Sequence, residues 1–204
     1  MRDGAELQLR FAELSRRVRA HLGQDRRYEH CVRVARCADL LAQRHGIDPA
    51  KARVAAMLHD LARLYSERRL IDECERRGLA IDEFERRNPI VLHARLGAAL
   101  ARELFGIDDG QVLSAIEKHT TAAAAMSPLD CVVYLADLLE PGRTFEGRER
   151  LWALAQRDLH EAMREAIAQT VRHLRAGARD AAPATAAAAR TFGLNLEEVA
   201  ASAI

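Results

Sequence analysis

The feature of this chain that most constrains its fold is the spacing of its apolar residues. They recur at helical intervals along almost all of the 204 residues, and no segment alternates between apolar and polar residues for long enough to predict a β-strand. The segment from Asp25 to His45, for example, places Tyr28, Cys31 and Ala35 on one stripe. The pattern therefore predicts an all-α fold.

Helix start and stop signals divide the chain into segments. Asp or Ser stands immediately before or near the start of several apolar runs, where its side chain can accept hydrogen bonds from free backbone amides, and glycines follow the ends of others. The predicted helices cover residues 5–22, 25–45, 49–64, 66–78, 89–106, 109–121, 127–140 and 148–175, with a short helix and a loop between 79 and 88. We expect one core domain over residues 1–178. The Ala-rich residues 179–204 would form a tail or a final helix on that core.

Charge and cysteine usage exclude several classes of function. The net charge is +1, so there is no global electrostatic case for a nucleic-acid partner. No apolar run is long enough to span a bilayer, and the N-terminal residues lack the apolar stretch of a signal peptide. Four cysteines occur without a CxxC pair, and Cys31, Cys37 and Cys131 lie in apolar helical patterns as expected of core residues. These features predict a cytoplasmic protein.

Six residues with metal-binding side chains lie in apolar helical patterns, namely His30, His59, Asp60, His93, His119 and Asp137. Imidazole and carboxylate groups are ligands for borderline divalent metals. A buried carboxylate is costly unless it is paired or metal-bound, and neither aspartate has an evident inward-pointing Lys or Arg partner on its own helix. The set is large enough for one octahedral ion, or for two ions bridged by Asp60. We interpret His21, His45, His160 and His173 as surface or capping residues.

Each of these histidines taken alone has a simpler interpretation. A single His on an apolar face is more often a hydrogen-bonded core residue than a ligand, and a His-Asp pair also occurs by chance. The order and spacing of all six together favour a metal site.

That order resembles the HD-domain superfamily of metal-dependent phosphohydrolases. Within it, the chain is similar to the YqeK family, whose members hydrolyse diadenosine tetraphosphate symmetrically to two ADP. The similarity lies in the segments RYEHC (27–31), HDLAR (59–63), HARLGA (93–98), HTT (119–121) and YLADLLEPGR (134–143). It implies a single HD-domain helical bundle, an enzyme, and a water activated by metal that attacks a phosphorus of the substrate.

The resemblance also implies roles for individual residues. His30, His59, Asp60 and Asp137 would ligate one iron, with manganese or zinc as possible alternatives. His93 and His119, with Asp60, would face a second metal or the phosphates, and the catalytic residues would be Asp60, His93 and His119. The nucleotide would be contacted by Arg27, Arg63, His93, Thr121, Tyr134 and Arg143.

Two positions depart from the family pattern. Arg63 stands where the family usually has Lys, which keeps the charge but replaces a point charge with a planar fork. Ala122 to Ala125 stand where the family usually shows Gly-Arg after the paired threonines, so a phosphate-binding arginine is missing from that loop. Arg95 is a candidate to replace it.

Three other functions stay open at this point. The chain could be an HD phosphohydrolase for a nucleoside phosphate or a cyclic dinucleotide, which the changed loop after His119 permits. It could be a non-catalytic nucleotide-binding module that retains the metal fold, or a helical interaction protein with coincidental histidines. A homodimer is also possible, although no particular helix face predicts one.

Overall fold

A computed structural model describes residues 2–196 and Val199, with side chains from Arg10 onward. Within this part of the chain there are eleven α-helices, one 3₁₀ helix and no strand, which confirms the all-α prediction. The helices are α1 (Arg2–Leu22), α2 (Asp25–Arg44), α3 (Pro49–Leu58), α4 (Glu67–Arg76), α5 (Glu83–Arg87), the 3₁₀ helix (Pro89–Val91), α6 (Leu92–Phe105), α7 (Gly110–Lys118), α8 (Pro128–Leu139), α9 (Arg148–Ala155), α10 (Leu159–Ala176) and α11 (Pro183–Thr191).

The predicted capping residues act as expected at the helix starts. Asp48, Ser66, Asp109 and Ser127 each accept a hydrogen bond from a backbone amide in the first turn of α3, α4, α7 and α8. Gly106 ends α6 in the left-handed conformation, with φ 69°. Local sequence therefore determines where these helices begin and end.

The core lies between α2, α3, α6, α7 and α8, which pack against one another. Its large members include Leu41, Leu58, Leu96, Ile116 and Leu135, all fully buried. Many of the remaining core residues are alanines, and these allow the helices to approach closely in a chain that has few aromatic residues. Cys31, Cys37 and Cys131 are buried free thiols, as predicted, and so is Cys74. No helix in the described residues is both long and apolar enough to cross a bilayer.

Three helix predictions need correction. The third helix ends at Leu58, so His59 and Asp60 lie in the tight turn that follows it and not within a helix. His119 likewise follows the end of α7. The long helix predicted for residues 148–175 is two helices, because the chain turns after Ala155 and Asp158 caps a new helix by accepting a hydrogen bond from the amide of Glu161.

The alanine-rich tail contains helix α11, which packs against α10. Thr185 of α11 is buried, and its hydroxyl donates to the carbonyl of Thr121 at 2.7 Å. The tail thereby holds the loop that follows α7. The domain boundary after residue 178 stays a prediction, and residues 197, 198 and 200–204 of the predicted tail lie outside the described residues.

Candidate metal centre

Four of the six predicted ligands form a first cluster, which we call the inner group: His30, His59, Asp137 and the Oδ2 atom of Asp60. The Nε2 atom of His30 lies 3.3 Å from Nε2 of His59, 3.0 Å from Oδ1 of Asp137 and 3.6 Å from Oδ2 of Asp60. His59 Nε2 lies 3.3 Å from the same Asp60 oxygen. Ligand atoms about 2.1 Å from a shared ion lie about 3 Å apart at right angles, so these spacings suit one cation.

A second cluster, the outer group, contains His93, His119, Thr120 and the Oδ1 atom of Asp60. The Nε2 atoms of His93 and His119 are 3.1 Å apart, and they lie 3.4 Å and 3.8 Å from Asp60 Oδ1. The Thr120 hydroxyl is 3.0 to 3.1 Å from both nitrogens. Asp60 thus presents one carboxylate oxygen to each group, which is the placement expected of a bridging ligand.

The imidazole rings are oriented by their other nitrogens. The Nδ1 atoms of His59, His93 and His119 each lie within hydrogen-bond distance of the carbonyl three residues earlier in the chain, namely those of Ala56, Ile90 and Ile116. Because a carbonyl only accepts, each Nδ1 must carry the proton. Each Nε2 atom therefore faces the shared centre, where the neutral form of the ring can coordinate a cation.

A close helix contact positions the turn that holds His59 and Asp60. A Cβ atom on Gly97 of α6 would lie 3.2 Å from the His59 carbonyl, which is closer than most real contacts. Within the turn, the Arg63 amide donates to the Asp60 carbonyl at 3.0 Å. Gly97 therefore lets α6 approach closely enough to bring His93 opposite Asp60.

The electrostatics differ between the two groups. Burial opposes a charge on His59, but Asp60 and Asp137 outweigh burial and raise the pKa of His59 to about 9. Burial, together with the neighbouring His59 and His93, lowers the pKa of His119 to about 3. Burial would raise the pKa values of Asp60 and Asp137, yet their histidine neighbours hold both well below the usual range. The inner group thus concentrates anionic charge suited to a cation.

Two arginines from outside the aspartates' own helices pair with the carboxylates of the predicted ligands Asp60 and Asp137. Arg27 Nη1 lies 2.8 Å from Asp60 Oδ2, and Arg143 Nη2 lies 2.7 Å from Asp137 Oδ1. The sequence expectation concerned only partners on the same helix, so it gave no information about these two arginines. Arg27 comes from α2, and Arg143 follows the end of α8.

A cavity of about 570 Å³ opens above the two groups. Asp60, His93, His119, Tyr134 and Asp137 line it, and so do the three arginines predicted to contact nucleotide. Those arginines are Arg27, Arg63 and Arg143. His30 and His59 lie behind this surface, so the inner group is the deeper of the two.

Three sequence expectations differ from what lines the cavity. Thr120 lines it, whereas Thr121 does not and instead bonds the Ala122 carbonyl through its hydroxyl. Arg95 is not among the lining residues, because its guanidinium donates to Glu85 and to the Ala80 carbonyl. His173, interpreted as a surface or capping residue, does line the cavity.

Helix α10 contributes part of the wall through Gln169, Thr170 and His173. The Thr170 hydroxyl lies 3.2 Å from the Tyr134 hydroxyl. Sequence reasoning missed Gln169 and Thr170. Their spacing with His173 marks one face of a helix, but an ordinary amphipathic helix shows the same spacing, so no signal singled them out.

Sequence reasoning also missed Glu140, which follows α8. Its side chain is 2% exposed and accepts hydrogen bonds from Arg33, from the Gly142 amide and from His30. Burial would raise the pKa of Glu140, but these donors outweigh it and lower the pKa to about 2. A carboxylate between Leu139 and Pro141 looks like a helix-end surface residue in sequence, and only the fold shows that it is buried.

The family model described as HD domain matches residues 27–142. The chain belongs to the HD domain family. The matched range holds all six predicted ligands of this HD domain protein, together with Glu140. The cavity wall formed by α10 lies beyond it.

Curated relatives narrow the family. A protein of Bacillus subtilis strain 168 named symmetrical bis(5'-nucleosyl)-tetraphosphatase is 35% identical over 147 residues, which cover 72% of this HD domain protein and 78% of the relative. A protein of the same name from Halalkalibacterium halodurans is 36% identical over 162 residues, covering 77% and 83%. The chain belongs to the family of these tetraphosphatases.

A solved structure shares the fold. The crystal structure of a predicted HD superfamily hydrolase involved in NAD metabolism from Clostridium acetobutylicum matches with a TM-score of 0.85 and 32% sequence identity. The match covers 89% of this chain and 96% of that one. The match therefore covers a larger share of the chain than residues 27–142 do.

Proposed function

We propose that this protein is a metal-dependent hydrolase that cleaves diadenosine tetraphosphate symmetrically into two ADP molecules. The observation that carries the proposal is the placement of Asp60, whose two oxygens face separate histidine pairs at the floor of a cavity lined by three arginines. The names of the relatives from Bacillus subtilis and Halalkalibacterium halodurans support the same substrate.

The donor set supports a resident transition metal. His30, His59, Asp60 and Asp137 would hold one ion, and Asp60, His93 and His119 would hold a second ion or the phosphoryl group. Mixed imidazole and carboxylate donors suit iron, which we propose, and also manganese or zinc. When bound, such a cation supplies a water of lowered pKa and polarises a phosphoryl oxygen.

The arginines would bind and orient the polyphosphate. Arg143 and Arg27 already donate to the ligand carboxylates, and their guanidinium groups reach the cavity, where remaining N–H groups can bond phosphate oxygens. Arg63 adds a third cation to the wall. Fixed positive charge at these points stabilises the negative charge that develops on the transferred phosphoryl group and the leaving oxygen.

The volume of the cavity suits one half of the substrate. A volume of about 570 Å³ lies within the usual range for a small-ligand site, and we propose that it holds one ADP half with Tyr134 near the base or sugar. The other half then leaves as ADP. Its terminal phosphate is a stable anion, so departure needs little help from a general acid.

Metal analysis and product identification test the proposal together. The purified protein should contain a transition metal, and it should convert diadenosine tetraphosphate to ADP alone when products are separated by ion-exchange chromatography. Formation of AMP and ATP, or the absence of hydrolysis by metal-replete protein, would contradict the proposal.

The loop after His119 favours a second candidate. Residues 122–125 are all alanine, so this loop contributes no arginine to the cavity. Ala122 adopts a positive φ of 56°. An HD phosphohydrolase with fewer phosphate contacts could act on a shorter nucleotide or a cyclic dinucleotide. Comparing kcat/KM for diadenosine tetraphosphate, nucleoside phosphates and cyclic dinucleotides separates the two candidates.

A cytoplasmic location, a homodimeric state and the absence of a nucleic-acid partner stay predictions. Light scattering coupled to gel filtration measures the oligomeric state directly. Electrophoretic mobility shifts with duplex and single-stranded DNA and RNA test the nucleic-acid prediction.

A further inference from the structure

One of the four site histidines has a different partner from the others. His59, His93 and His119 face backbone carbonyls through Nδ1, but His30 Nδ1 lies 3.1 Å from the Oε1 atom of Glu140, 110 residues later in the chain. The His30 ring is thus oriented by a carboxylate and not by its own helix. Its Nε2 atom faces Asp137 and Asp60.

The surroundings of Glu140 are built to hold that carboxylate in place. Arg33 Nε lies 2.5 Å from Oε2 and its Nη2 atom 3.3 Å from Oε1, while the Gly142 amide donates to Oε2 at 2.6 Å. These donors and His30 saturate the two oxygens in a site with almost no solvent access. Glu140 cannot rotate away without leaving Arg33 and the Gly142 amide unpaired.

Gly142 provides independent support for this arrangement. A Cβ atom at that position would lie 2.7 Å from Arg33 Nη2 and 2.9 Å from both Glu140 oxygens. Two of these three atoms belong to the buried Glu140 carboxylate, and the third belongs to the Arg33 guanidinium that pairs with it. A side chain at position 142 would therefore have to displace the Arg33–Glu140 pair, whereas glycine leaves the pair in place while its amide reaches Glu140.

We infer that Glu140 is a positioning residue for the metal ligand His30. By accepting a hydrogen bond from Nδ1–H, Glu140 fixes the tautomer whose Nε2 lone pair faces the metal position. The negative charge of Glu140 also makes Nε2 a stronger electron-pair donor to a metal. Glu140 touches neither substrate nor the metal position itself. The inference rests on the proposed metal site. It explains why Arg33 and the Gly142 amide hold the carboxylate of Glu140, which is not itself one of the predicted metal ligands.

Metal affinity is the measurement that distinguishes positioning from general stability. Metal-stripped protein is titrated with Mn²⁺ while free Mn²⁺ is followed by electron paramagnetic resonance, under conditions where each variant is fully folded. Loss of an outer partner of a metal-bound histidine typically costs about 10- to 100-fold in affinity. We expect a loss in that range for Glu140→Ala and a smaller loss, about 10-fold, for Glu140→Gln, which keeps the shape but not the charge.

A matched control lies on the same helix as His30. Glu29→Gln removes one negative charge next to His30 from an exposed side chain, and it should leave Mn²⁺ affinity unchanged. The urea midpoint of each metal-free variant reports separately on stability. If Glu140→Gln folds normally and binds Mn²⁺ as tightly as the wild type does, the inference is overturned.

A second measurement needs no variant. In Zn²⁺-loaded protein, the imidazole ¹H–¹⁵N correlations of His30 should show a protonated Nδ1, and an unprotonated Nδ1 would overturn the inference. Failure of the proposed metal site can be told apart from failure of this inference. If the wild type binds neither Mn²⁺ nor Zn²⁺, the proposed metal site and the role of Glu140 are both contradicted. If the wild type binds Mn²⁺ and the Glu140 variants bind it equally tightly, only the role of Glu140 is contradicted.

Discussion

The inner and outer groups share Asp60 but differ in what surrounds them. The inner group contains a second aspartate, and its His30 is backed by Glu140, so anionic oxygens lie on several sides. The outer group has one Asp60 oxygen and the Thr120 hydroxyl, and it opens to the cavity. The inner group is therefore suited to retaining a cation, and the outer group is suited to an exchangeable ion or a phosphoryl oxygen.

The largest expected effect comes from the residue that both groups share. Asp60→Asn removes a negative charge from both groups while keeping the side-chain size. We expect loss of bound metal and a fall in kcat of roughly 10³-fold or more, because activation of water and stabilisation of the phosphoryl charge are both lost.

Elemental analysis and steady-state assays of Asp60→Asn check this expectation, with the urea midpoint as a control for folding. Retention of wild-type metal content together with wild-type turnover would remove Asp60 from its proposed role.

A pair of histidine substitutions tests the difference between the groups directly. His59→Gln should release the tightly held ion, because His59 lies within 3.3 Å of both His30 Nε2 and Asp60 Oδ2. His119→Gln should leave that ion in place and lower kcat by about 10²-fold, the usual cost of losing one group that stabilises developing charge. Metal content per chain after desalting is the decisive measurement, and equal metal loss in the two variants would contradict the comparison.

A smaller loss of activity is expected when Arg143, which lines the cavity, is replaced. Arg143→Ala removes a cavity cation that also pairs with Asp137, and we expect kcat/KM to fall by about 10- to 100-fold, or about 1.4–2.7 kcal/mol. Metal content should stay close to that of the wild type.

Arg164→Ala provides the matched control for Arg143→Ala, because Arg164 is exposed on α10 and pairs with Glu161 away from the cavity. If the two variants lose activity equally, Arg143 has no specific role in binding phosphate.

The pH dependence of stability in protein held metal-free by a chelator is a further test of the difference between the two groups. His59 has a raised pKa, so its contribution is fully present below pH 6.5 and is lost as the pH rises through about 9. His119 has a lowered pKa, so its contribution is present above pH 6.5 and is lost as the pH falls towards 3. Stability should therefore be greatest near pH 6.5.

Urea midpoints at pH 5, 6.5 and 9 measure this profile. His59→Gln should flatten the alkaline side, and it should also alter the acid side because His59 helps to lower the pKa values of His119, Asp60 and Asp137. His119→Gln should reduce the loss of stability on the acid side, where Asp60 and Asp137 also contribute because their pKa values are lowered. An alkaline decline that persists unchanged in His59→Gln would assign it to another group.

Much of this protein is determined by sequence over short distances. Apolar spacing and capping side chains such as Asp48 and Ser127 specify the helices, because a cap bonds amides only two or three residues away. The types and order of the six ligands also predict a metal site, since few other arrangements make buried imidazole and carboxylate groups tolerable.

Which distant groups complete the site depends on the tertiary structure. The fold pairs Arg27 with Asp60 and brings Glu140 next to His30. It also places Thr120 in the cavity wall in place of Thr121, and it adds the part of the wall formed by α10. These contacts depend on how helices pack, and they join residues that are 33 and 110 positions apart in the chain. The apolar spacing along a helix is the same with or without a distant partner, so it does not predict which partner a side chain will contact.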